Sequence, residues 1–229
     1  STKYLTTLSG YIFEEYGLSL LGASRLIQTE ANNSYQLTFK DLTIVNSSDQ
    51  EGSVIYITDQ TDRLQTVFEN CRFPNCESTN VVFSTPSSQT VSFLQCHFTN
   101  CTSSGSYLIK YGSFTSCYFN RNESSYSMLY EASNIDRCFI SGCVMASNTN
   151  SNSVQLIYGS TDIFSSLFYR NFSHSHIIYA LSQSQILHST FVDNYTDSTV
   201  EDIDGSFTLG YCLFLRSGLN DGSMVSDLT

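Results

Sequence analysis

The chain has no Trp and only two Pro in 229 residues. Charged residues make up 14%, against about a quarter in ordinary globular chains, and only 10 of them are Lys or Arg. Against 21 acidic residues this gives a formal net charge of −11. No basic stretch is present to neutralise phosphates, which excludes nucleic acid as an expected partner and disfavours an anionic membrane surface. No apolar run approaches the roughly 18 residues a spanning helix needs, so no membrane insertion is expected. Also missing are a phosphate-binding glycine loop, a Ser-nucleophile motif and Cys-x-x-Cys, and the four His are not spaced with Cys for zinc. Accordingly, no cofactor, no metal and no catalytic residue are expected.

What the chain has instead is 41% hydrophobic residues, among them 16 Phe and 15 Tyr, punctuated by Ser, Asn and Gly. That mixture is β-forming, and no window sustains helical spacing. One stretch, Phe93-Leu94-Gln95-Cys96-His97-Phe98-Thr99-Asn100-Cys101, supplies a frame. With Cys96 numbered zero, apolar slots fall at −3 and +2 and a small polar or Cys slot at +5. Eight copies follow this frame, with zero at Leu42, Cys71, Cys96, Cys117, Cys138, Ser166, Ser189 and Cys212. The −3 slot holds Phe39, Phe68, Phe93, Phe114, Ile135, Ile163, Ile186 and Leu209. The +2 slot holds Ile44, Phe73, Phe98, Phe119, Ile140, Phe168, Phe191 and Phe214. At +5 stand Ser47, Cys76, Cys101, Asn122, Cys143, Asn171, Asn194 and Ser217. A second motif, two aliphatic residues then Tyr, falls between copies: Val54-Ile55-Tyr56, Met128-Leu129-Tyr130, Leu156-Ile157-Tyr158 and Ile177-Ile178-Tyr179. Leu108-Ile109-Lys110-Tyr111 reads as a variant with one insertion.

A period of 20 to 30 residues means stacked repeats. Leucine-rich repeats need Leu at fixed offsets, and propeller blades are longer. The expected fold is therefore an all-β, right-handed parallel β-helix of about eight to nine coils, with equal slots stacked roughly 4.8 Å apart. Slots 0 and +2 share a parity and point inward, whereas the step from −3 to 0 breaks parity and places a bend there. The core ladder is then Phe68, Cys71, Phe73, Phe93, Cys96, Phe98, Phe114, Cys117, Phe119, Ile135, Cys138 and Ile140. One β-helix domain spans 1–229: an entry coil or cap at 1–36, eight repeats at 37–217 and the start of a further coil at 218–229. Met224-Val225 resembles that further coil, and no polar cap follows. The sequence thus points either to a longer chain or to end-to-end stacking of subunits.

The repeats Phe-Glu-Asn-Cys-Arg-Phe-Pro-Asn-Cys, Ile-Asp-Arg-Cys-Phe-Ile-Ser-Gly-Cys and Ile-Leu-His-Ser-Thr-Phe-Val-Asp-Asn resemble those of polymorphic-outer-membrane-protein-type β-helices. That family includes chlamydial surface adhesins and protist surface proteins. The resemblance covers about residues 37–217, with the family's Gly-Gly-Ala-Ile element replaced here by aliphatic-aliphatic-Tyr. It implies a secreted or cell-surface, adhesin-like or fibre-forming structural role, with surface glycans or other protein subunits as partners. It carries over no catalytic residue.

All eight Cys occupy repeat slots, five at zero and three at +5. Ser166 and Ser189 replace Cys at zero, which makes a packing role the expectation, with a secreted four-disulfide framework as the other reading. Six Asn-x-Ser/Thr sequons are candidate glycosylation sites: Asn32, Asn46, Asn100, Asn122, Asn171 and Asn194. The last three lie at +5, where an inward Asn serves a ladder equally well. Many β-helices are polysaccharide lyases or glycosidases, so a carbohydrate-active enzyme is the alternative function. Its acidic cluster would be Asp193, Asp197, Glu201, Asp202 and Asp204. His174 and His176 share a strand face and are expected at the surface, as are the pairs Asp62-Arg63 and Asp136-Arg137.

Overall fold

Parallel pairing of short strands generates the whole architecture of the computed structural model. It describes residues 4–9, 18–19, 27–29, 35–45, 48–49, 54–57, 64–79, 82–84, 91–145, 154–196 and 203–215. Among these residues there is no helix, and the strand pairs are all parallel, stacked as a β-solenoid. Each coil contributes to three walls. A long wall carries the aliphatic motif and the −3 slot, and in Ile109–Thr115, Ser127–Asp136, Ile178–Leu187 and Ile203–Gly210 one strand holds both. A second wall is built from three-residue strands around the +2 slot, from Arg72–Pro74 to Leu213–Leu215. A third is built from two-residue strands, from Ser48–Asp49 to Tyr195–Thr196.

The second and third walls have seven strands each, which makes about six full turns instead of the eight to nine coils expected. Further pairing continues at the N-terminal end, where Leu18–Ser19 pairs with Ile44–Val45 and Thr43 bridges to Arg72 next to the second wall. There Tyr4–Ser9 pairs with Tyr35–Lys40, setting Leu8 against Phe39. Part of the expected entry region is therefore a rung of the solenoid. The segment around Met224-Val225, the pair Asp62-Arg63 and the +5 residues Ser47 and Ser217 lie outside the described residues.

The slots stack as the frame requires. Along −3, Phe39, Phe68, Phe93, Phe114, Ile135, Ile163, Ile186 and Leu209 are successive partners. Along +2, the row runs from Phe73 through Phe98, Phe119, Ile140, Phe168 and Phe191 to Phe214. Rings within a row lie nearly parallel: Phe68–Phe93 at 5.4 Å, Phe93–Phe114 at 5.1 Å and Phe98–Phe119 at 4.7 Å between centroids. Between the two rows the rings meet edge-on, as for Phe93 and Phe98 at 5.2 Å and 75°. Both geometries suit the ring quadrupole, at about 0.5–1.5 kcal/mol per pair beyond the area buried.

The parity break between −3 and 0 is a single left-handed residue at −1. Asp41, Asn70, Gln95, Ser116, Arg137, Ser165, His188 and Tyr211 have φ between 49° and 55°. A second such corner at +4 holds Asn75, Asn100, Arg121, Gly142, Arg170 and Asp193. Coil-to-coil hydrogen bonding continues through the corners, as from Gln95 N to Thr115 O at 2.9 Å and Asn100 N to Asn120 O at 3.1 Å. The backbone polar groups of the turns are thereby satisfied without water.

Donors at slots 0 and +5 reach back one coil. Cys71, Cys96, Cys117 and Cys138 direct their thiols at the −3 carbonyls of Phe39, Phe68, Phe93 and Phe114, at 3.3 to 3.7 Å. Ser166 Oγ makes the same contact with Ile135 O at 3.5 Å, which explains why Ser replaces Cys there. All eight Cys are thiols, seven of them buried. Burial pushes Cys96, Cys117 and Cys143 up to about 12 from an ordinary 9.0. Cys71 shifts down, chiefly because the Cys96 thiol donates to it.

A pH dependence follows from the three raised thiols. Unfolded, they lose protons near pH 9, while in the fold they hold them to about 12. Across that window the unfolded chain binds fewer protons, so stability falls as pH rises. Tyr107, raised from 10.0 to about 12 mainly by burial, acts in the same direction. Urea midpoints are expected to hold steady at neutral pH and to decline above pH 9, less steeply in Cys117→Ser. A midpoint that rises through that window would contradict the assignment.

Candidate functional site

The aliphatic-aliphatic-Tyr motif places its second residue in the core and its Tyr on the outside of the long wall, as strand alternation requires. Phe83, Ile109, Leu129, Ile157, Ile178 and Ile203 form one buried column. Beside it, Lys110, Tyr130, Tyr158, Tyr179 and Asp204 are successive partners on the outer face. Lys110 itself takes the Tyr position, so the variant motif needs no insertion there. Tyr111 is the next residue, at φ 57°, with its ring 6.0 Å from Tyr130.

Tyr130 and Tyr158 stack at 5.3 Å and 10°, and Tyr158 and Tyr179 at 5.7 Å and 7°. Ring faces inside the row are covered by their neighbours, leaving edges and hydroxyls outward. Two further rings join from the loops that precede the motif: Tyr107 lies 4.0 Å from Tyr130 and 6.0 Å from Tyr126. Burial holds Tyr107, Tyr130 and Tyr158 above the ordinary phenol value. At neutral pH these three phenols are therefore uncharged, able both to donate and to accept hydrogen bonds. Neither Tyr107 nor Tyr126 belongs to the repeat motifs. The only sequence signal was a Tyr one or two residues before the aliphatic pair, at Tyr107-Leu108-Ile109 and Tyr126-Ser127-Met128.

At its far end the row meets a pair that the sequence reading placed differently. His176 is 7% exposed, in the connection before Ile178–Leu187 rather than in a strand, with Nε2 3.6 Å from Asp204 Oδ2 and its ring 5.4 Å from Tyr179. It is buried because Tyr179 and Asp204 close over it. His174, by contrast, stays half-buried against Phe172 at 5.3 Å. Of the expected acidic cluster, Asp197, Glu201 and Asp202 lie outside the described residues. The other two are on different walls: Asp204 in the tyrosine column, and Asp193 at a +4 corner, 3.7 Å from Arg170. Asp136 and Arg137 form a 3.0 Å surface ion pair. Among the described residues, no three or more His, Cys, Asp or Glu are grouped to hold a metal.

The sequons divide in the same way. Asn122, Asn171 and Asn194 are buried, and their side-chain amides donate to Phe98 O, Ile140 O and Phe168 O at 2.9 to 3.1 Å. Their amide nitrogens are thus core hydrogen-bond donors, closed to a glycan in the folded chain. Asn100 is exposed at a +4 corner, bonded to Asn75 at 3.4 Å. Asn32 and Asn46 lie outside the described residues.

Fold and outer row together define a parallel β-helix with an aromatic stripe along one wall. No family model, no curated protein and no solved structure matches the chain.

Proposed function

We propose that the chain is a non-catalytic β-helix scaffold of an extracellular or cell-surface protein, adhesin-like or fibre-forming. Its partners are surface glycans or other protein subunits, met along the tyrosine row. The observation carrying this reading is the outward column of Tyr130, Tyr158 and Tyr179, repeating at the coil spacing. A regular file of phenol edges and hydroxyls offers an extended partner the same contacts at each step, and Tyr gives large contact area at low entropic cost. The weakly charged, Ser- and Asn-rich composition and the exposed Asn100 sequon agree with a secreted location.

The test is a binding and turnover screen of the purified chain against pectins, alginates and neutral β-glucans, with and without Ca²⁺, paired with light scattering across salt concentrations. A polymer that binds without losing length, and no longer binds Tyr158→Ala, is the expected glycan result. Self-association is expected to strengthen with salt, because the net charge of −11 opposes contact at low ionic strength. Turnover abolished by Asp202→Ala would replace this reading with the enzymatic one. Absence of glycan binding together with a strict monomer at every salt concentration would overturn it.

A further inference from the structure

We propose that Tyr107 and Tyr130 are the site of an oxidative cross-link, an ortho–ortho dityrosine formed by a haem peroxidase with hydrogen peroxide. The chain has no Trp; Met128 and Met145 are buried, as are seven of the eight Cys. Apart from the partly buried thiol of Cys212, one-electron oxidation at the described surface therefore falls on Tyr. Tyr126, 36% exposed, gives the oxidant an entry point, with Tyr107 6.0 Å behind it and Tyr130 4.0 Å further on.

Geometry then selects one pair. Tyr130, Tyr158 and Tyr179 stand on adjacent rungs of one wall with rings only 7–10° from parallel, so their ortho carbons stay a coil apart. Joining any two would pull the strands out of register. Tyr107 instead comes from the bend between Thr102–Ser103 and Ile109–Thr115, and its ring tilts 33° to Tyr130. The two ring centroids are 4.0 Å apart, against 5.3 and 5.7 Å within the row. The ortho carbon is the ring atom next to the one bearing the hydroxyl, and a ring this close, tilted and carried by a connecting segment can bring its ortho position to that of Tyr130 without moving a strand. Glu131, whose charge is felt at Tyr130, is a nearby proton acceptor.

The step balances. Each phenol gives up one electron and its hydroxyl proton, and the two phenoxyl radicals form one carbon–carbon bond between ortho carbons. The two ortho hydrogens then move to the oxygens as the rings regain aromaticity. In all, two electrons and two protons leave the protein and reduce one hydrogen peroxide to two waters. The product staples a surface bend to the next coil and restricts the unfolded chain as a disulfide does.

The experiment treats the full chain with haem peroxidase and hydrogen peroxide, then reads dityrosine fluorescence, intact mass and a peptide map of the monomer fraction. A monomer lighter by two hydrogens, with the Tyr107 peptide joined to the Tyr130 peptide, is expected. Tyr107→Phe keeps the ring and should reduce monomer fluorescence to the untreated background, while Tyr158→Phe should leave it unchanged. The wild-type map decides the matter even if Tyr107→Phe folds poorly. Linkage found only between molecules through Tyr211, which is 87% exposed, would overturn the proposal. Undiminished intramolecular cross-linking in Tyr107→Phe would do the same.

Discussion

Phe98→Ala is expected to destabilise the fold by about 3–5 kcal/mol, the usual cost of truncating a fully buried Phe. Phe98 is fully buried, with Phe73 at 5.0 Å below it and Phe119 at 4.7 Å above. Phe83 and Phe93 approach edge-on at 5.5 and 5.2 Å. Deleting one ring removes contacts in two rows at once, and the neighbouring coils are fixed by their backbone pairing, so the cavity cannot collapse. In a solenoid, stability is a sum over adjacent coils, and the loss should appear first as a weakened boundary between two of them. Phe214→Ala, at the last described rung and half-buried, should cost distinctly less. Urea denaturation of both variants is the check; equal, small losses would contradict stacked rows.

Asn171→Ala should cost about 2–6 kcal/mol by a different route. Asn171 Nδ2 donates to Ile140 O and to Asn194 Oδ1, both at 2.9 Å, and its Oδ1 accepts from Cys143 N at 3.1 Å. Alanine would leave the Cys143 N–H and the Ile140 carbonyl buried without these partners, at about 1–3 kcal/mol each. Asn171→Cys should cost less than alanine. Cys101 in the same slot already directs its thiol at Phe73 O, at 3.0 Å, so a thiol restores the bond to the carbonyl though not the one to the N–H. The expected order of urea midpoints is therefore wild type, then Asn171→Cys, then Asn171→Ala. Equal midpoints for the two variants would show that slot +5 contributes only volume.

The core was legible because it repeats. Phe68, Phe93 and Phe114 share a residue type as well as a slot, and the parity argument placed the first bend between −3 and 0. The residue that makes the bend was not legible. Gln95, Ser116, Arg137 and Tyr211 have no common chemistry; pairing with neighbouring coils imposes their left-handed backbone against ordinary preference. The second corner at +4 escaped for the same reason, although Asn75, Asn100 and Asp193 belong to the types that tolerate it. Val82-Phe83-Ser84 escaped because Ser stands where the motif asks for Tyr, yet Phe83 occupies the column of Ile55 and Ile109. Tyr107, Tyr126 and His176 sit in the connections between strands, outside any period, and only the folding of those connections against the wall brings them to the tyrosine row.

Stacking of equivalent slots on consecutive coils underlies every argument about the core, the thiols and the tyrosine row. The most direct test is solution NMR of the chain with labelled Phe rings, looking for nuclear Overhauser effects between residues one coil apart. Ring-to-ring effects are expected for Phe73 with Phe98 and for Phe98 with Phe119, whose centroids are 5.0 and 4.7 Å apart. A folded chain in which Phe98 shows effects to neither of them would contradict the account.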